Sequence, residues 1–319
     1  MNIKGKPKII AIVGPTASGK TALSVEIAKK FGGEIISADS MQIYKGMDIA
    51  TAKPTFDEMQ GIVHHLVDFL DSDQEFSVAA YVDLAHKAVA DICGRGNVPV
   101  VAGGTGLYVD NFLSGTKFAE GEADLKIRSE LFSKLENEGV ESLLEELKSV
   151  DNDSYERLKT ERNPKRIVRA LEIYKTTGIT MTEQNKLSKP VDTPYDAVKI
   201  GLDFKCRQTL YDRINLRVDL MVESGLIKEA EDFFNTKVSS TAYGAIGYKE
   251  LEPYFKTEAS LQDCLDSLKQ ATRRYAKRQL TWFRRDENTT WFFVDEYKNS
   301  AELVSAVVDF LMSKGFDLK

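Results

Sequence analysis

The sequence has few of the residues that bind structural metals or form disulfides. Its 319 residues include three cysteines and three histidines, namely Cys93, Cys206, Cys264, His64, His65 and His86. Because the cysteines are scattered and odd in number, they exclude a disulfide framework and a CxxC metal site. The histidines are too few and too isolated to complete a structural zinc site with these thiols.

Long hydrophobic runs are also lacking. No apolar stretch approaches the ~20 residues that span a bilayer, and residues 1–8 are too short and polar for a signal peptide. We therefore expect a cytoplasmic protein with no membrane partner. We also expect it to be a monomer. Hydrophobic residues make up 42% of the chain and charged residues 29%, as in an ordinary globular protein. At roughly 150 residues per domain, the length predicts two domains.

Basic residues are fewer than acidic residues, but they are concentrated in two places. The 43 lysines and arginines against 49 acidic residues give a net charge of -6, which taken alone disfavours a nucleic-acid partner. However, residues 157–169 carry a net +5 and residues 269–285 a net +7, so the remainder carries -18. On helices, Arg166 and Arg169 would share one face, as would the basic residues between 273 and 278. Each cluster is either a cationic surface for phosphates or a solvated helix face.

Strand and helix patterns alternate over the first hundred residues. Continuous apolar runs predict buried strands at residues 8–13, 34–38 and 98–102, and apolar residues at helical spacing predict helices that begin at Thr21 and at residue 77. Because parallel strands require crossover helices, this order is typical of an α/β fold. We expect a P-loop-like parallel sheet with helices on both faces.

From about residue 120 the sequence becomes charged and helical. It predicts helices at residues 123–138, 140–150 and 164–177, the last with Asn163 as its N-cap and Gly178 as its end. Residues 190–194 would lead back to the sheet through a strand at 197–202. Long helices are predicted at 207–234 and 261–283.

The predicted organisation is therefore an insertion within a core. The core consists of residues 1–119 and 191–319, and the helical insertion consists of residues 120–190.

One glycine-rich segment predicts a phosphate site. The segment from Gly14 to Thr21 fits G-x-x-x-x-G-K-[ST] between a predicted strand and a predicted helix. Its backbone N–H groups and the helix N-terminus would bind phosphate oxygens, Lys20 would add a full positive charge, and the Thr21 hydroxyl could bind Mg²⁺. The alternative is a plain glycine-rich turn. The candidate phosphate-binding residues are Gly14, Pro15, Thr16, Ala17, Ser18, Gly19, Lys20 and Thr21.

Asp39 follows the second strand, and so is expected at the carboxyl edge of the sheet. It could hold Mg²⁺ through water or accept a proton from a nucleophile, or it could only cap a turn. The strand at 98–102 ends in Gly103–Gly106 and lacks the terminal Asp of motor ATPases. This difference favours a transferase over a hydrolytic switch.

Six segments in the same order resemble bacterial tRNA dimethylallyltransferases, also called tRNA isopentenyltransferases. They are GPTASGKT (14–21), ISADSMQIYKGMDIATAKP (36–54), GGTGLY (103–108), NPKRIVRALE (163–172), AIGYKE (245–250) and RRYAKRQLTWFR (273–284). The resemblance runs from about residue 8 to residue 292. The phosphate loop at residues 14–21, or P-loop, is shared with many kinases, whereas the D-S-x-x-x-Y, R-A-L-E and R-Q-x-T-W-x-R segments are specific to this family.

The resemblance implies transfer of a dimethylallyl group from dimethylallyl diphosphate to N6 of the adenine next to the anticodon, with Mg²⁺. The products would be N6-isopentenyladenosine and diphosphate. The P-loop and Arg217 would then hold the diphosphate leaving group. Asp39 would be the base, with Lys20, Thr21 and Thr105 as further catalytic groups. The metal would contact Thr21 and, through water, Asp39.

The resemblance also implies a set of contacts to the tRNA anticodon stem-loop. These residues are Asp39, Ser40, Met41, Gln42, Thr105, Arg128, Lys165, Arg166, Ile167, Val168, Arg169, Gly244, Ala245, Ile246, Gly247, Tyr248 and Lys249. The chain departs from the family where Asn163 replaces an Asp and where residues 242–244 lack an arginine. Because Asn caps a helix as well as Asp does, the first departure should change little.

Two other classes of function share some of these features. A small-molecule P-loop kinase, or an isopentenyltransferase that acts on free adenylate, would use the P-loop and Asp39 but needs neither basic cluster nor insertion. A non-enzymatic, nucleotide-dependent RNA-binding switch is disfavoured by the missing strand-end Asp.

Overall fold

The computed structural model describes residues 5–118, 125–188, 190 and 192–319. In this part of the chain, six parallel strands form one sheet in the order β3-β2-β4-β1-β5-β6. The strands are β1 (Lys8–Val13), β2 (Gly33–Ser37), β3 (His64–His65), β4 (Val98–Gly103), β5 (Asp196–Asp203) and β6 (Thr290–Phe293). The predicted strand at 8–13 is confirmed.

Both faces of the sheet are covered. Ile10 and Ile12 of β1 belong to an apolar cluster with residues of the first and last helices of the chain. Ile9, Ala11 and Val13 point to the opposite face and are also fully buried. A strand buried on both faces needs apolar residues at every position, which explains the continuous apolar run in the sequence. The α/β prediction is confirmed.

The chain divides into two compact units. The core unit comprises residues up to Leu113 and from Pro194 onward, and the insertion unit is Ser114–Thr193. The predicted boundaries were 119/120 and 190/191, and residues 119, 120 and 191 lie outside the described residues. Residues 123 and 124 of the first predicted insertion helix also lie outside them. The core helices are α1 (Lys20–Phe31), α2 (Phe56–Met59), α3 (Val78–Gly94), α4 (Gly106–Ser114), α9 (Arg207–Glu223), α10 (Leu226–Phe234), α11 (Ser240–Tyr243), α12 (Tyr248–Phe255), α13 (Leu261–Phe283) and α14 (Ser300–Ser313).

The insertion unit consists of helices around its own apolar cluster, which includes Leu143, Ile167 and Leu171. Its helices are α5 (Leu125–Val150), α6 (Asn152–Glu161), α7 (Pro164–Thr177) and α8 (Met181–Leu187). Gly139, with φ 80°, interrupts α5 where the sequence predicts two helices. The Asn163 side chain accepts a hydrogen bond from the Arg166 N–H and so caps α7 as predicted.

One predicted helix is wrong and several elements were missed. The helix predicted at 207–234 is two helices, because Gly225 adopts φ 103° and ends the helical path after Ser224. The sequence reasoning also missed the strands β3 and β6 and the helices α2, α4, α6, α8, α11, α12 and α14. Among the helices of the described residues, none has both the length and the apolar character of a bilayer span.

Candidate active site

The phosphate loop connects the end of β1 to the start of α1. Gly14 has φ 149°, and a Cβ there would lie 2.6 Å from the Leu202 carbonyl oxygen, so no other residue fits. Gly19 (φ 90°) and Ala17 (φ 62°) also have left-handed backbone. The Lys20 ammonium donates to the Pro15 carbonyl at 2.7 Å, across the loop. These positive φ values make a tight turn between β1 and α1, the type of backbone in which successive N–H groups can bind an anion.

Side chains from two distant helices hold this loop in place. The Thr16 N–H donates to Gln279 Oε1 at 2.8 Å, and Arg217 donates to Thr16 Oγ1 at 3.2 Å. Arg213 donates to the Ala17 carbonyl at 2.9 Å. The sequence reasoning included Arg217 but missed Arg213 and Gln279, although Gln279 lies within the family-specific R-Q-x-T-W-x-R segment.

Asp39 and Thr105 follow neighbouring strands, β2 and β4, and organise one turn. Asp39 Oδ1 accepts from the Met41 N–H at 2.9 Å and from the Gln42 N–H at 3.4 Å. Thr105 Oγ1 accepts from the Ser40 N–H at 3.1 Å. Asp39 thus holds a turn, as the alternative reading expected, and it also lines the cavity described below.

The glycines of the second glycine-rich segment allow close packing. A Cβ on Gly103 would lie 2.2 Å from the Ala38 carbonyl oxygen, one on Gly104 2.0 Å from Gln279 Nε2, and one on Gly106 2.2 Å from the ring of Trp282. Gln279 Nε2 donates to the Gly104 carbonyl at 3.0 Å. This segment therefore lets α13 approach the sheet edge and bring Gln279 to the phosphate loop.

The charges of the site shift one another's pKa values. Burial and the neighbouring Arg217 guanidinium lower the pKa of Lys20 to about 7, against the opposing effect of Asp39. Burial also lowers the pKa of Arg217, again opposed by Asp39. Burial, together with the charge of Asp39, raises the pKa of the Tyr275 phenol. Two cations that are buried side by side create a site that attracts an anion.

These groups line a cavity of about 280 Å³ in the core unit. Its polar end contains residues of the phosphate loop, Asp39 and Arg217, and its apolar lining includes Val218, Met221 and Leu226. Thirteen of the predicted site residues line it, namely Thr16, Lys20, Thr21, Asp39, Ser40, Met41, Gln42, Arg217, Gly244, Ala245, Ile246, Gly247 and Lys249.

Some residues expected to contact tRNA are buried in the fold instead. The Tyr248 side chain is fully buried, stacks on Phe233 with ring centroids 4.0 Å apart, and donates to Glu229 at 2.8 Å. Ile167 and Val168 are buried in the insertion unit. We therefore assign these three side chains to packing, because an apolar or fully bonded side chain without exposed surface cannot reach a large ligand.

The first basic cluster, residues 157–169, is not one continuous stripe. It is divided between α6 and α7, because Arg162 adopts φ 47° and ends α6. Arg166 pairs with Glu161 at 2.5 Å and Arg169 pairs with Glu172 at 3.2 Å. Lys165, Arg166, Arg169 and Arg128 are exposed on the insertion unit.

The second basic cluster lies along α13 and at its C-terminal end, and three of its residues bond to side chains of the core unit. Lys269 pairs with Asp219 at 2.6 Å, Arg273 bonds Asn215 at 2.6 Å, and Arg284 pairs with Asp203 at 2.5 Å. The prediction that Arg273 shares an open face with its basic neighbours is therefore wrong. Arg284 remains half-exposed beside its partner, and Arg274, Lys277, Arg278 and Arg285 are exposed as well.

Comparison with protein families and with relatives gives a consistent result. The model of the family described as IPP transferase matches residues 42–286, and that of the isopentenyl transferase family matches residues 7–75. A tRNA dimethylallyltransferase from a Thermoanaerobacter species is 45% identical over 310 residues, which is 96% of this chain and 98% of the relative. One from Halalkalibacterium halodurans is 46% identical over 288 residues, covering 90% and 91% of the two chains.

Solved structures show the same similarity. A tRNA isopentenylpyrophosphate transferase from Bacillus halodurans is 43% identical, with a TM-score of 0.72 and 97% of each chain covered. A eukaryotic dimethylallyltransferase described as acting on tRNA is 28% identical, with a TM-score of 0.81, and covers 97% of this chain and 80% of its own.

Proposed function

The chain belongs to the tRNA dimethylallyltransferase family, and we propose that its cavity is where an allylic donor meets the acceptor adenine of tRNA. The chain is a prenyltransferase that transfers a dimethylallyl group to a tRNA adenine. The proposed donor is dimethylallyl diphosphate and the proposed acceptor atom is N6 of the adenine next to the anticodon. The observation that carries the proposal is that one cavity contains Lys20 and Thr21 of the phosphate loop together with Asp39.

The phosphate loop binds the diphosphate of the donor. Its backbone N–H groups and the N-terminus of α1 attract anions, and Lys20 and Arg217 add two buried positive charges. Because these charges are fixed before the reaction, they stabilise the negative charge that develops on the diphosphate as the C1–O bond breaks. No phosphoryl group is transferred.

A divalent metal fits the same end of the cavity. Enzymes of this family generally use one, and we propose Mg²⁺. The described residues contain no cluster of three His, Cys, Asp or Glu side chains, so the ion would take most of its oxygen ligands from the diphosphate and water. Thr21 would hold it directly and Asp39 through water. Bound there, the metal would neutralise charge on the leaving diphosphate.

Asp39 is the proposed base. As N6 forms a bond to C1 of the donor, the C1–O bond electrons leave with the diphosphate and a proton on N6 must be removed. Asp39 lies at the sheet edge near Lys20 and accepts that proton. Thr105 keeps the Asp39–Gln42 turn in position through Ser40. An exocyclic amine is a weak nucleophile, so this positioning is needed for reaction.

The adenine must leave the stacked anticodon loop to enter the cavity, at a cost of a few kcal/mol. Contacts to the RNA backbone offset this cost. We propose that Arg128, Lys165, Arg166 and Arg169 of the insertion unit supply part of them, together with the segment Gly244–Gly247 and Lys249, which line the cavity. Charge-assisted bonds to phosphates are the expected form of contact.

The test is product formation by the purified protein. We expect an unmodified tRNA anticodon stem-loop, incubated with dimethylallyl diphosphate and Mg²⁺, to yield N6-isopentenyladenosine by nucleoside mass spectrometry. A parallel reaction with ATP and candidate metabolites tests the kinase alternative. Absence of the modified nucleoside together with phosphate transfer from ATP would overturn the proposal.

A further inference from the structure

Glu229 of α10 binds the backbone of a loop that follows β2. Its carboxylate accepts from the N–H groups of Asp48, Ile49 and Ala50 at 2.8, 2.7 and 2.9 Å. It also accepts from the buried Tyr248 hydroxyl at 2.8 Å. Four donors on one carboxylate fix the position of this loop more firmly than packing alone would.

The loop forms one wall of the cavity. Ala50, Thr51 and Ala52 line the cavity, and Gln42 Nε2 donates to the Ala52 carbonyl at 3.0 Å from within it. On the other side, a Cβ on Gly247 would lie 2.8 Å from the Ala50 Cβ, so the wall is packed tightly against the start of α12. Glu229 thus joins two segments that both line the cavity.

The wall lies where the hydrocarbon end of a donor would reach. Arg217 bonds the phosphate loop, and the cavity lining continues along α9 with Val218 and Met221. At about 1.5 Å of rise per residue, Met221 lies roughly 6 Å along the helix from Arg217, about the length of a five-carbon allylic chain. Met221, Ile49 and Ala50 pack against the same buried apolar cluster.

We propose that Glu229 is a positioning residue that limits the length of the allylic chain that the cavity accepts. The inference rests on the proposed function, since it assigns the phosphate loop to the diphosphate of the donor. By holding residues 48–50 against α12, Glu229 closes the cavity beyond five carbons. It touches neither substrate, and it acts through Ala50 and its neighbours.

Glu229→Gln is the informative change. A glutamine has nearly the same size but offers one acceptor oxygen and one NH₂ group, which would face a backbone N–H donor. The side chain can then no longer accept from all three N–H groups of residues 48–50, and this wall of the cavity should move outward. Glu231→Gln is the matched control, because Glu231 is exposed on the same helix and pairs only with Lys228 at 2.9 Å in the described structure.

The measurement is the ratio of kcat/KM for geranyl diphosphate to kcat/KM for dimethylallyl diphosphate on one anticodon stem-loop. Mass spectrometry of the nucleoside identifies which chain was transferred. A ratio of this kind does not depend on the fraction of folded enzyme. We expect Glu229→Gln to raise the ratio about tenfold, the scale at which small differences in an apolar pocket discriminate substrates, and Glu231→Gln to leave it unchanged.

An unchanged ratio in Glu229→Gln, with both rates lowered in parallel, would overturn the proposal and make Glu229 a stabilising residue only. If that variant does not fold, Tyr248→Phe removes one of the four bonds and is judged by the same ratio. Wild-type protein that forms no dimethylallyl product would overturn the proposed function itself, so the two failures are distinguishable.

Discussion

At the residue scale, Asp39 has two roles that a substitution can separate. One carboxylate oxygen holds the turn through the N–H groups of Met41 and Gln42, whereas proton transfer requires the charged carboxylate. Asp39→Asn keeps an oxygen acceptor for the turn and removes the base. We expect it to lower kcat by about 10²-fold or more while tRNA affinity in a filter-binding assay stays near wild type.

Asp39→Ala serves as the comparison, because it removes the turn acceptor as well. We expect it to weaken tRNA binding in addition to turnover. If Asp39→Asn already lost tRNA affinity in proportion to its turnover, Asp39 would be a positioning residue and the base would have to be another group.

Lys20 should make donor binding depend on pH. With its pKa lowered to about 7, Lys20 is protonated below that pH and increasingly neutral above it in the free protein. A bound diphosphate favours the charged form and raises the pKa again. The contribution of Lys20 to donor affinity should therefore be constant below pH 7 and should fall as pH rises above 7. Above pH 7, Lys20 should take up a proton when the donor binds.

Titration calorimetry of dimethylallyl diphosphate between pH 6 and pH 9, in buffers of different ionisation enthalpy, measures this uptake. Lys20→Arg is the control, because a guanidinium stays charged throughout this range. In this variant, any remaining proton uptake comes from ionisation of the ligand itself. Equal proton uptake by the two proteins would contradict the assignment.

At the element scale, Glu34 holds the edge of the sheet. Its buried carboxylate on β2 accepts from Arg95 at 2.9 and 2.7 Å, from Asn97 at 2.9 Å, and interacts with His65 of β3 at 2.7 Å. These bonds, led by that of Arg95, lower the pKa of Glu34 to about 2. The stability that they contribute is complete above about pH 4.5 and is lost as pH falls toward 2.

We expect Glu34→Gln to lower the free energy of unfolding at pH 7 by roughly 1–3 kcal/mol, since half-exposed Arg95 is screened by solvent. The difference between the two proteins should shrink as pH falls below 4.5. Urea unfolding at pH 7 and at pH 3 measures both quantities. A difference that is the same at both pH values would show that the Glu34 charge contributes nothing.

Elements with strong local signals were predictable from the sequence. The predicted α7 and α13 agree with the structure because each begins at a capping side chain, Asn163 or Ser260, and α7 ends at Gly178. The break at Gly225 was missed because apolar spacing continues on both sides of it. β3 and β6 were missed because strands of two and four residues carry too little pattern to be recognised.

At the scale of the whole molecule, the site also consists of residues that local motifs predicted and residues that they did not. The phosphate loop and Asp39 are contiguous motifs at strand ends, so sequence and topology place them together. Gln279, Arg213 and Glu229 reach the site from helices about 180 to 260 residues away along the chain. Their roles depend on how α9, α10 and α13 pack, which no local pattern encodes.

The net charge of the chain does not show how its charged residues are distributed. The chain is acidic overall, yet α13 and its C-terminal end present Arg274, Lys277, Arg278 and Arg285 to solvent. Arg278 lines the cavity, so this surface continues to its edge. An acidic body with a basic surface beside the site attracts a polyanion to one orientation and repels it elsewhere.

The salt dependence of tRNA binding tests this distribution. Each lysine that contacts a phosphate releases about one counterion, so Lys277→Ala should reduce the slope of log K against log salt by about 1 and weaken tRNA binding without changing donor affinity. Lys228→Ala is the control, because Lys228 is exposed but pairs with Glu231 and Asp232 on α10. Fluorescence anisotropy of a labelled anticodon stem-loop between about 50 and 200 mM salt gives both slopes. Equal slopes for wild type and Lys277→Ala would show that Lys277 lies on an ordinary solvated helix face and contacts no phosphate. The phosphate contacts would then have to come from other cationic residues, such as those of the insertion unit.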